Sequence, residues 1–205
     1  PTGTCFTRQD LEAICDLVLE ENARRGPEEK KLYVMFDQMY WHLTYGDCTH
    51  YNPVTLRPQM KDYCIFIDAI SKVFAATGVR VGWSMGPATV ISKMKAILTH
   101  VGAWAPMAEQ KAVAAFLPMK QEIDDYLNGF RGAILERLQA MYAGLQQLRK
   151  AGYPVDAIIP QAAIYLTVKF DLVGLRTASG RELQNQEEVT AFLLNEARLA
   201  LVPFY

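Results

Sequence analysis

The sequence predicts an α/β fold with a mostly parallel sheet, followed by part of a second, smaller domain. Three observations carry this prediction. Short apolar segments alternate with amphipathic helical ones along the first part of the chain. One of them, residues 62–67, is apolar at nearly every position, the pattern of a strand covered on both faces. A long charged amphipathic stretch, residues 120–151, then leads into a strand–helix–strand pattern. Strands that alternate with helices pack as layers around a parallel sheet.

In chain order, residues 8–25 place Leu11, Ile14, Cys15, Val18 and Leu19 on one helical face. Thr7 is the expected N-cap, with Asp10 three residues on, and Gly26-Pro27 ends the helix. Residues 31–36 form a short strand ending at Asp37, residues 62–67 a second, and residues 79–85 a third between Gly78 and Gly86. Helices follow at 88–101 and 107–116. The long stretch carries Ile123, Tyr126, Leu127, Phe130, Ile134, Leu138, Met141, Leu145 and Leu148 on its apolar side, and Gly152 stops it. Residues 163–170 read as an apolar strand, 186–197 as a short helix and 199–204 as the start of another strand.

Composition sets the bounds. With 205 residues, 51% hydrophobic and 21% charged, the chain has ordinary globular usage, which excludes disorder as its main state. A formal net charge of −1 gives no global field favouring nucleic acid or an anionic membrane. The longest apolar stretch, residues 112–119, is too short to span a bilayer, and no charged leader followed by an apolar segment opens the chain. The chain starts at Pro1 without a methionine and stops in the apolar run 199–205, so it reads as the middle of something longer. Four cysteines (Cys5, Cys15, Cys48, Cys64) and three histidines show neither C-x-x-C nor His i, i+4 spacing, which argues against a zinc site. Cys15 and Cys64 sit in apolar patterns as buried thiols. A disulfide scaffold is not expected, and a reducing, cytoplasmic compartment fits.

Ligands of such sheets bind at the carboxyl ends of strands. There the sequence puts Asp37-Gln38-Met39-Tyr40, then Asp68-Ala69-Ile70-Ser71-Lys72, then Arg80 near the head of the next strand. Each has a plain reading: Asp as a turn residue, Tyr as packing, Lys as a solvated cation, Ser as a cap. An arginine in an apolar strand needs an anionic partner if it is buried.

These residues resemble the class I and II aminotransferases, the aspartate aminotransferase-like enzymes of fold type I. Pro1-Thr2-Gly3 is similar to the tail of their Asn-Pro-x-Gly turn, and Asp37-Gln38-Met39-Tyr40 to their Asp-x-x-Tyr. Ser-Lys-Val-Phe-Ala-Ala-Thr-Gly-Val-Arg-Val-Gly-Trp, residues 71–83, resembles their Schiff-base lysine signature with its phosphate-binding arginine. Pro160-Gln161-Ala162-Ala163-Ile164-Tyr165-Leu166 looks like their first small-domain strand.

The resemblance implies a three-layer large domain, a long interdomain helix and a small α/β domain. On this chain that means 1–119 as the later part of the cofactor-binding domain, 120–152 as the helix and 153–205 as the start of the small domain. It implies pyridoxal 5′-phosphate as cofactor, amino acid and 2-oxo acid as substrates, a homodimer with shared sites, and neither nucleic acid nor membrane as partner. It gives Lys72 the Schiff base and proton transfer, Asp37 the pyridinium nitrogen, Tyr40 the ring O3′, and Arg80 with Ser71 the phosphate. The serine often found three residues before the lysine is replaced by Ala69. Trp104 is weighed as pocket wall or core. Two other classes stay open beside transamination: a C–S lyase or other elimination enzyme on the same scaffold, and a non-catalytic regulatory module.

Overall fold

A computed structural model of the chain describes residues 2–204. The chain divides into two compact units: everything up to Gln139 together with Ile159–Tyr165, and Ala140–Ile158 together with Leu166 onward.

The first unit opens with α1 (Arg8–Arg24). Thr7 Oγ1 accepts the Asp10 amide at 3.1 Å, and Asp10 Oδ2 accepts the Thr7 amide at 3.1 Å, closing the predicted capping box. Strand β1 (Val34–Asp37) follows, shorter at its start than expected. Lys31 is taken up by the helix end, where its Nζ donates to the carbonyls of Asn22, Arg25 and Gly26. Buried Asn22 binds both the Leu32 carbonyl (2.8 Å) and amide (2.7 Å), which fixes the entry into β1.

Next come α2 (Pro53–Leu56), a 3₁₀ turn (Pro58–Asp62), β2 (Cys64–Ala69), α3 (Ile70–Val73), a second 3₁₀ turn (Thr77–Val79) and β3 (Gly82–Met85). The sheet order is β1-β2-β3. β1 and β2 are parallel, with Asp37 opposite Ile67. β3 runs against β2, with Gly82 opposite Ala69. A Cβ on Gly82 would lie 3.0 Å from the Asp68 carbonyl and 3.1 Å from Ala69 Cβ, so only glycine lets β3 approach β2 here.

One face of this sheet packs on α1. Leu11, Cys15, Val18, Met60 and Cys64 form the buried core, with Val34, Phe36 and Phe66 against it. Residues of β2 on the opposite face, Ile65 and Ile67, are only half-buried among the described residues, where the sequence predicted a strand covered on both sides. Cys15 and Cys64 are free and buried, and burial raises both thiols, Cys64 to about 12. Cys5 and Cys48, however, are joined by a disulfide. Such bonds persist in oxidising compartments, so cysteine usage no longer argues for a reducing one.

After β3 come α4 (Ala88–Val101), α5 (Met107–Phe116) and α6 (Lys120–Lys150), with Gly102 and Gly152 in left-handed conformation behind α4 and α6. Ile123 and Leu127 of α6 pack on Val73 of α3. Helix α6 contributes to both units, dividing after Gln139. None of the described helices is long and apolar enough to cross a membrane.

In the second unit β4 (Val155–Ala157) and β5 (Val168–Phe170) pair antiparallel, and α7 (Gln186–Asn195) buries Val189 and Leu193 with Leu183 against Phe170 and Phe192. Two expected strands differ. Only 168–170 of the segment 163–170 is a strand, because Ala163 takes a left-handed φ of 62° and gives its amide to Leu43. Residues 199–204 form none, since Arg198 (φ 58°) turns the chain and the Leu199 amide bonds back to Leu193.

Candidate active site

The carboxyl ends of β1 and β2 and the head of β3 share one edge of the sheet. Asp37 is the last residue of β1, exposed, with Oδ1 accepting the Met39 amide at 3.2 Å. Tyr40 lies in the turn that follows, half-buried. Its hydroxyl shares a 2.6 Å hydrogen bond with that of Tyr165. Burial, this bond and the charge of Asp37 hold its pKa well above the ordinary phenol value, so it is a hydroxyl at neutral pH.

Ser71 and Lys72 sit in α3, directly behind β2, both half-buried. Among the described residues neither side chain has a hydrogen bond or ion pair. Arg80 differs from its sequence reading. It precedes β3 rather than lying in it, takes a left-handed φ of 61° and is exposed, with Nη1 donating to the Thr77 carbonyl at 2.9 Å. Its charge is therefore met by solvent. Trp104 is 50% exposed in the link from α4 to α5, which is not a core position.

Pro1 of the Pro-Thr-Gly turn lies outside the described residues. Gly3 of that turn is buried at φ 78°, and a Cβ there would sit 2.5 Å from the Tyr165 carbonyl. Its own carbonyl accepts the amides of Gln161 and Ala162 at 2.7 and 3.0 Å. The Tyr45 amide donates to Gln161, and its hydroxyl donates to the Ala163 carbonyl at 2.5 Å. Residues 160–165 are thus laced into the first unit by bonds to Gly3, Leu43, Tyr45 and Tyr40.

Sequence reasoning missed Asp68. It is 6% exposed, and its carboxylate accepts the Ala69 amide at 2.8 Å, Trp41 Nε1 at 3.0 Å and Gln38 Nε2 at 3.3 Å. Burial raises its pKa, opposed by these donors. The signal was present: a carboxylate inside an apolar strand must find partners.

A sequence model described as "Aminotransferase class I and II" matches residues 1–205. This chain belongs to that family. Among curated relatives, it is 29% identical to a probable aspartate/prephenate aminotransferase of Rhizobium leguminosarum bv. phaseoli over 98% of this chain and 47% of that protein. It is 28% identical to an aspartate aminotransferase of Geobacillus stearothermophilus over 99% of this chain and 47% of that one. Among solved structures, the aspartate aminotransferase from Rhizobium meliloti superposes with a TM-score of 0.84 at 22% identity, covering 99% of this chain and 47% of that one. An aromatic aminotransferase from Pyrococcus horikoshii OT3 gives 0.79 at 27% identity, over 99% and 48%. The aminotransferase chain described here therefore spans about half the length of the curated relatives it matches.

Proposed function

We propose that the protein containing this chain transfers an amino group from an amino acid to a 2-oxo acid, with pyridoxal 5′-phosphate as cofactor and as a homodimer. One observation carries the reading. In a chain matched along its whole length by the aminotransferase family, Asp37 ends β1 and Tyr40 follows it, Lys72 follows β2 and Arg80 precedes β3, all on the side of the sheet where β1 and β2 end.

The donor set fits the cofactor. Bound there, it supplies an electron-poor ring that draws electrons from the substrate's Cα. Lys72 Nζ would hold it covalently and, as a free amine, would take the proton from the substrate's Cα and return it on the cofactor side. The carboxylate of Asp37 would keep the ring nitrogen protonated. Tyr40, held protonated, would donate to the ring's phenolic oxygen. Arg80 would bind the phosphate, and Ser71 Oγ would add a donor. The names of the relatives make aspartate the first amino donor to test.

The experiment is turnover by the full-length protein with aspartate and other amino donors against 2-oxoglutarate and pyruvate. The reading expects the acceptor's amino acid to form in step with the donor's 2-oxo acid. Ammonia and pyruvate released from cystathionine together with homocysteine, with no amino acid formed from the 2-oxo acid acceptor, would overturn it.

A further inference from the structure

The turn that carries the proposed cofactor contacts is held by a residue outside the family motifs quoted above. The Trp41 amide donates to the Gln38 carbonyl at 3.0 Å, and the Gln38 amide donates to the Ile67 carbonyl at 3.0 Å, so residues 38–41 form a closed turn continuing the β1–β2 ladder. Both ends of this turn send a side-chain donor to the same oxygen, Asp68 Oδ2. The other oxygen, Oδ1, accepts the Ala69 amide, which opens the segment leading into α3 and Lys72. Asp68 lies at β2 register beside Trp83 and is 6% exposed, so water does not compete for these bonds.

We infer that Asp68 is a positioning residue: its carboxylate locks the turn bearing Asp37 and Tyr40 to the segment bearing Lys72, and so sets the distance between the cofactor's ring contacts and its covalent anchor. The inference rests on the function proposed above. The carboxylate suits the task because one oxygen takes both donors of the turn after β1 while the other holds the amide of Ala69, the last residue of its own strand before α3. An asparagine has one acceptor and must abandon one side, leaving a buried donor unpaired. The indole suits it as well, since Trp Nε1 is a donor only and cannot reverse the contact.

The test uses the full-length protein loaded with pyridoxal phosphate, as wild type, Asp68→Asn, Trp41→Phe and the double variant. Five quantities are read: the cofactor dissociation constant, the pH midpoint of its visible absorption, kcat and KM separately, and the thermal midpoint of the apoprotein. Asp68→Asn is expected to weaken cofactor binding about tenfold, to shift the absorption midpoint by about half a unit, and to lower kcat on the order of 10- to 100-fold with a smaller change in KM. Trp41→Phe, with the ring kept at a 38% exposed position, shows the same pattern at smaller size, and the double variant is no worse than Asp68→Asn alone. Variants that lower only the thermal midpoint, with binding, absorption and kcat as in wild type, overturn the inference. If Asp68→Asn fails to fold, Trp41→Phe decides by the same readings. A wild type that shows no visible band at Lys72 instead sinks the proposed function itself, which separates the two failures.

Discussion

Tyr40 and Tyr165 share a 2.6 Å hydrogen bond between their hydroxyls, with their rings edge to face at a centroid distance of 5.5 Å. They come from segments 125 positions apart and meet because residues 160–165 return to the first unit. The bond fixes the ring of Tyr40 and, with burial, keeps its proton on.

Tyr165→Phe should therefore act on Tyr40. Removing one partner of a half-buried hydrogen bond costs about 1 kcal/mol of stability. The absorption of the bound cofactor should also shift its pH midpoint, because the phenol beside it becomes easier to reorient and to ionise. Urea unfolding and a spectral pH titration check the two effects. A variant that matches wild type in both would show that the pair does not couple.

The Cys5–Cys48 bond joins the segment behind the Gly3 turn to the loop behind Tyr40, closing a sequence separation of 43. Loop-closure entropy for that length is worth about 4 kcal/mol, with about 2–4 kcal/mol usual in practice. The double variant Cys5→Ser/Cys48→Ser should lose stability in this range, read by denaturant unfolding without reductant. Peptide mapping of the wild type should recover the two cysteines as one crosslinked peptide, and their recovery apart would contradict the bond.

His42 and His50 give the first unit a pH dependence. Burial lowers both pKa values from 6.5, helped at His42 by Arg131 and at His50 by His42, and opposed by Asp124 and Asp68 respectively. A depressed histidine binds its proton less readily when folded. Its contribution is complete above 6.5 and is lost as pH falls through that value toward the folded pKa. Asp68, raised from 3.8, has the opposite sign, but its window begins lower, near the carboxylate range. The thermal midpoint should therefore fall between pH 7.5 and 5.5, and His50→Gln should flatten that slope. An unchanged slope would show that His50 does not titrate in this window.

The helices were legible because their signals are local. Thr7 with Asp10, Gly152 behind α6, and the apolar stripe of α6 each act within a few residues. The candidate site was legible only as a list of strand-end residues. What placed them on one edge, the β1–β2 register and the return of β3 behind Gly82, depends on long-range pairing. The start of the expected strand 163–170 was misread for the same reason. Its apolar pattern suits a strand, yet the Ala163 amide bonds to the Leu43 carbonyl and Ala163 takes a left-handed φ of 62°. Asp68 was legible as a carboxylate in an apolar strand, but its partners were hidden, because Gln38 and Trp41 have no sequence spacing that announces them. The disulfide was hidden likewise, since neither cysteine lies in a spacing pattern.

The central claim is that Lys72 anchors pyridoxal phosphate at this edge. Borohydride reduction of the full-length protein, followed by digestion and mass spectrometry, tests it directly. The account predicts loss of the visible band and a pyridoxyl adduct on Lys72, with the adduct absent from Lys72→Ala. A band that survives reduction, or an adduct found only on another lysine, would contradict it.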